Sequence, residues 1–224
     1  VAPSARTGHA LPVGAAGFAW CSLALGLSTV GVMNTSGSSV IVSGTFFYGG
    51  IVQLVAGFFA LATGATFAAA FLTAYGAFWL GYTAIQVYVA PHIVATVLSG
   101  AAHGAPTPAL AAQAGHDVVQ ALGVFLIAWL VVTVIFTVVS LGTNAVTVAA
   151  FGLLDLVIVL LIVAYLGASG AGVPIAGALH AAGWAEIVLA GVAFYIVLAE
   201  LANETLQRPL IPVFPLRRPA THIA

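Results

Sequence analysis

Apolar residues in this chain do not alternate with polar ones, nor do they recur at every third or fourth position. They run on in long blocks, broken by short clusters of Gly, Pro, Ser, Thr and Asn. A bilayer core about 30 Å thick needs about 20 apolar helical residues to cross it. Six blocks are long enough, residues 13–32, 40–61, 67–90, 118–141, 145–166 and 184–201. None has the polar–apolar alternation of a barrel strand, so the pattern predicts an all-α integral membrane protein, one six-helix domain spanning residues 1–224. The first block is too long for a signal-peptide core and is expected to be a true span. Short turns are expected at 34–39, 62–65 and 140–144, a Gly/Ala/Pro loop at 168–182, and a long loop at 91–117 that carries Pro91, Pro106, Pro108 and three His.

Composition agrees with the pattern. The chain is 62% hydrophobic and 4% charged, with no Lys; a soluble domain carries roughly 25% charged residues. Such a chain would aggregate in water, and it lacks the charge that disorder or nucleic-acid binding requires. Arg6 precedes the first block, and Arg208, Arg217 and Arg218 follow the sixth. An even number of spans puts both termini on one side, and the positive-inside rule makes that side the cytoplasm, with residues 205–224 as a cytoplasmic tail in the plasma (inner) membrane. Gly49, Gly50, Gly57, Gly64, Gly76 and Gly81 supply small faces for close helix packing, the means by which helices associate in lipid.

Polar groups within the spans are the candidate chemistry. Asp155 falls near the midplane of the fifth span, where a charged carboxylate must pair, face water or hold a proton. With every Arg terminal, two readings stay open: a neutral acid hydrogen-bonded across helices, or a proton-handling group that lines a cavity. Glu186 and His180 flank Trp184 and read as interfacial. Glu204 and Arg208 have the spacing of a helical i, i+4 pair. Gln53, Thr73, Tyr75 and Trp79 are candidates for a polar path. Cys21 sits in an apolar run and reads as packing. The six His form no ligand pair within a span, so no metal, haem or other cofactor is expected, and no nucleophile–base arrangement can be assembled. An enzyme is disfavoured.

Residues 47–79, FYGGIVQLVAGFFALATGATFAAAFLTAYGAFW, resemble the second and third spans of the acetate uptake transporter family, the succinate–acetate permeases. Three other segments agree: ALPVGAAGF (10–18) is similar to that family's NPAPLGL signature, SLGTN (140–144) to its LRTN turn, and ELANETLQRPLIP (200–212) to its C-terminal ending. The chain departs from the family at His9, Ala10 and Leu11, at Ala60, Ala65 and Gly142, and by carrying Asp155. The resemblance implies a hexameric ring of protomers, each with its own anion pathway through an apolar constriction. Carried over by motif, the constriction residues are Phe18, Tyr75 and Leu156, with Val157 a competitor for the last. Pro12, Gly14, Gln53, Thr73 and Ala193 are further pathway candidates. The expected partners are a small monocarboxylate such as acetate, protons, membrane lipid and other copies of the chain. Two other readings stay open: an anion channel or carrier of another small solute such as ammonia, and a structural subunit without a solute path.

Overall fold

The computed structural model describes residues 8–34, 37, 39–100 and 107–216. Expectations placed on Arg6, His103, Pro106, Arg217, Arg218 and His222 lie outside the described residues. Six helices are long and apolar enough to cross a membrane: α1 (Leu11–Thr29), α2 (Ser39–Ala62), α3 (Thr66–Leu98), α4 (Pro108–Ser140), α5 (Ala145–Leu166) and α6 (Ala176–Thr205). Each packs on its sequence neighbours, and α6 returns to make its most extensive contact with α1. The bundle is therefore a closed ring of six helices, with the space between them running along the ring axis. The described chain ends share one end of this ring, where His9 lies within electrostatic reach of Glu200. We call it the terminal end.

Local sequence explains the starts and turns. Pro12 lies in the first turn of α1, where its missing N–H costs nothing. Thr107 caps α4 by accepting from the Leu110 N–H at 3.3 Å, with Pro108 at the first helical position. Asn144 caps α5 by accepting from the Thr147 N–H at 2.9 Å. Gly64 closes the α2–α3 turn at φ 79°, a conformation that side chains disfavour.

Three expected segments differ. The long loop at 91–117 is mostly helix: α3 continues to Leu98 and α4 begins at Pro108. Pro91 is tolerated because the helix passes through a π-helical turn, Ile85–Val89, and restarts as α-helix with Pro91 in its first turn. The loop before α6 shortens to residues 167–175, since α6 begins at Ala176. Arg208 is not on a helix with Glu204, because α6 ends at Thr205 and Gln207 turns the chain at φ 52°. Asn203 holds the chain beyond it, accepting from the Leu210 and Ile211 N–H groups at 2.7 and 2.9 Å. The tail then crosses to the α4–α5 turn, where Ala145 N–H donates to the Phe214 carbonyl at 3.0 Å.

Small residues set the helix spacing. A Cβ on Gly76 would lie 2.8 Å from the Leu54 backbone, and one on Gly57 would lie 2.8 Å from that of Thr73. In lipid, such close approach is what holds helices together. A second π-helical segment, Thr45–Val52, lies within α2 and contains Gly49 and Gly50. Thr45 is anchored there by a buried hydrogen bond to Thr83 of α3 at 2.8 Å.

Candidate functional site

Inside the ring, a cavity of about 190 Å³ extends from the terminal end toward mid-bundle. Leu11, Thr143, Asn144 and Thr147 line its mouth, and Phe67, Phe71 and Phe151 its walls. Its deep end carries Phe18 of α1, Tyr75 of α3, Leu154 of α5 and Leu189 and Ala193 of α6. The Phe18 and Tyr75 rings meet edge to face, centroids 5.4 Å apart. Phe151 sits 6.3 Å from Tyr75 and 5.7 Å from Phe71. Edge-to-face packing of this kind fixes ring positions more firmly than aliphatic contact does. The Tyr75 hydroxyl donates to Thr133 of α4 at 2.8 Å, and Thr133 in turn donates to the Trp129 carbonyl at 2.8 Å. Tyr75 thus offers the cavity its ring and spends its hydroxyl on the wall.

Two buried N–H bearing side chains that do not line the cavity have no partner. Gln53 of α2 is wholly buried, and neither its Nε2 nor its Oε1 makes a hydrogen bond; the Trp79 Nε1 of α3 is likewise buried and unpaired. Trp79 lies 6.2 Å from Phe18, and its ring would be 2.9 Å from a Cβ on Gly49, one helical turn before Gln53. Buried polar groups are ordinarily satisfied, and each exception asks for a reason. Donors left free beside an apolar passage suit an anion that has shed its water. Among the described residues the sole Arg is Arg208, beyond the end of α6, so no fixed cation would hold such an anion in place.

The expected site residues divide into two groups. Phe18, Tyr75 and Ala193 come together at the cavity; Gln53 is wholly buried and does not line it. Leu156 does not join them. It is 47% exposed on the outer face of α5, whereas Leu154, 9% exposed, lines the cavity. Two residues on a helix are about 200° apart, so a slip of two exchanges inside for outside. Val157 is buried in the core. Pro12 and Gly14 do not line the cavity; Pro12 starts α1, and Gly14 gives way to Leu72 and Ala56. Thr73 turns back on its own helix, donating to the Ala69 carbonyl at 2.8 Å, and packs on Gly57. Asp155, next to Leu154, points between α5 and α4: its Oδ2 accepts from Thr137 at 2.6 Å, while Oδ1 is buried without a partner. Glu186, expected at a membrane interface, is enclosed by the bundle. It is 5% exposed, inside the ring.

Residues 1–218 match the model of the GPR1/FUN34/yaaH family. The chain belongs to that family. It is 30% identical over 204 residues to acetate permease A of Emericella nidulans, a match covering 90% of this chain and 64% of that protein. It is 28% identical over 202 residues to the succinate-acetate/proton symporter SatP of Escherichia coli K12, covering 90% of this chain and 93% of the relative. The chain thus spans less than two thirds of the fungal protein but nearly all of the bacterial one. Its fold matches the solved structure of the bacterial acetate channel SatP with a TM-score of 0.73 at 28% identity, over 93% of this chain and 99% of that one.

Proposed function

We propose that this membrane protein carries acetate and similar small monocarboxylates across the plasma membrane, through the centre of each protomer, with protons accompanying the anion. The observation that carries the reading is the cavity with Phe18, Tyr75 and Leu154 at its deep end, and behind its lining the unpaired N–H groups of Trp79, whose ring meets Phe18, and of Gln53, one turn beyond the Gly49 that faces Trp79. Acetate has a methyl end and a carboxylate end. The rings suit the first and displace water, while the free donors compensate the oxygens for the hydration they lose. A scaffold without a solute path would fill its centre with side chains, and the names of the relatives, a permease, a symporter and a channel, also favour transport.

In this reading the terminal end faces the cytoplasm, as the terminal Arg residues suggest. The apolar outer faces of the helices, Val131, Ile135 and Val138 of α4 among them, meet lipid or neighbouring protomers in a ring, for which six is the expected number. Asp155 serves as a hydrogen-bonded link between α4 and α5. The test is uptake of radiolabelled carboxylates of one to four carbons, with methylammonium as a further substrate, by purified protein in liposomes. Saturable acetate uptake above protein-free liposomes is expected. Uptake of methylammonium without any carboxylate would overturn the reading.

A further inference from the structure

The cavity-lining stripe of α6 does not end where the cavity does. Leu189, Ala193 and Ile196 line the cavity, and Glu186 occupies the next position of the same stripe, one turn beyond Leu189 and away from the terminal end. Three other helices extend their cavity-lining stripes to the same region. On α1, Cys21 follows Phe18; on α3, Tyr82 follows Tyr75 and Trp79; on α5, Tyr165 lies beyond Leu154. Cys21, Tyr82 and Tyr165 all lie within electrostatic reach of Glu186.

Glu186 is buried, and its Oε2 has no hydrogen-bond partner. No cation faces it. Cys21 is the only titratable residue that α1 offers, and α5 offers Tyr165 and, about 15 Å further toward the terminal end, Asp155. Arg208 lies past the end of α6 at Thr205, which is 19 residues, about 28 Å at 1.5 Å per residue, from Glu186. His180 shares α6 but is exposed, its ring 6.5 Å from that of Trp184. An acid in this setting either binds a proton or imposes an uncompensated negative charge on the axis of the ring.

Building on the transport reading above, we propose that Glu186 is the proton-binding site of this chain, placed beyond the Phe18–Tyr75–Leu154 collar so that a carboxylate crosses only when Glu186 is protonated. The proton binds a carboxylate oxygen of Glu186 from the side away from the terminal end and is released toward the terminal end with the anion, with no other bond made or broken. Deprotonated, Glu186 repels the anion at the far side of the collar; protonated, it lets the anion pass. Proton and anion then move together, and the net charge transferred by a monocarboxylate is zero.

The experiment uses the full chain in liposomes, with radiolabelled acetate and either a pH gradient, acid outside, or a potassium diffusion potential, positive inside. The wild-type protein should respond to the pH gradient and not to the potential. E186Q should lose at least about fivefold of the gradient response, the low end of a typical coupling energy, and should acquire potential-driven uptake. E186D, which keeps the acid, should retain the gradient response. A gradient response unchanged in E186Q overturns the proposal. Potential-driven uptake in the wild type overturns it too, but leaves carboxylate transport standing; no carboxylate uptake by the wild type overturns the transport reading itself. Proton binding is also read without transport, from the infrared carbonyl stretch of a protonated carboxyl. This band should appear on acidification in the wild type and be missing in E186Q, and a band unchanged in E186Q sinks the assignment.

Discussion

Replacing Leu154 by Ala should change which acids pass, and replacing Leu156 should not. Leu154 lines the cavity opposite the Phe18 and Tyr75 rings. Truncation removes Cγ and both Cδ carbons, shortening the side chain by about 2.5 Å at roughly 1.5 Å per bond. That is close to the length butyrate adds to acetate. A hydrophobic pocket discriminates against one extra methylene by about 1–3 kcal/mol, roughly 10- to 200-fold. Leu154→Ala should therefore raise the butyrate-to-acetate uptake ratio by at least about tenfold. Large-to-small changes in soluble cores cost about 2–5 kcal/mol. Leu154 already borders a cavity of about 190 Å³ and gives up fewer contacts than a fully enclosed Leu, which sets the expected cost near the low end, about 2 kcal/mol. Leu156, 47% exposed, should cost less than about 0.5 kcal/mol and leave the ratio unchanged. Uptake of the two acids in competition, in liposomes, measures the ratio, and detergent melting curves measure stability. An unchanged ratio in Leu154→Ala, or the same shift in Leu156→Ala, would refute the assignment of the collar.

Gln53→Leu separates stability from transport: an unsatisfied buried amide costs about 1–3 kcal/mol, so the variant should melt higher while its acetate uptake falls, and a lower melting point would count against an empty amide site. Gly49→Ala places a Cβ against the Trp79 ring and the Cys21 sulfur, and should reduce folded protein recovered in detergent; normal yield would mean that α2 can shift. Asp155→Asn keeps an acceptor for Thr137 and should leave both assembly and the pH response of uptake intact, whereas loss of the pH response would move the proton site to Asp155.

Most of the helical layout was legible because lipid permits so few alternatives. A backbone that crosses hydrocarbon must satisfy its own hydrogen bonds, so a long apolar run is a helix whatever its detailed sequence. What hydropathy could not give was where each helix stops. Pro91 and the polar residues Gln113, His116 and Asp117 interrupt the apolar signal, yet α3 continues past the proline through its π-helical turn, and α4 starts in the polar stretch. Helices end at caps and turns, and hydropathy ends at the membrane surface; the two coincide only when no helix projects beyond it.

The same difference decided which site residues could be found. Phe18 and Tyr75 lie in stretches with a fixed motif, and both line the cavity. Apart from Thr147 and Asp155 the fifth span is apolar on all sides, which leaves little to tell an inner from an outer face, and the cavity-lining Leu154 lies two residues from the expected Leu156. Glu186 was hidden by its neighbours. With the sixth span taken to begin at 184, a Trp followed by a Glu marks an interface. In the structure α6 begins at Ala176, which sets Glu186 ten residues, about 15 Å, inside the helix. What the sequence hid is the enclosure of the acid, 5% exposed among α1, α3, α5 and α6. Enclosed without a partner for Oε2, a carboxylate either carries a proton or opposes an anion, which is why a residue that read as interfacial became the one on which coupling depends.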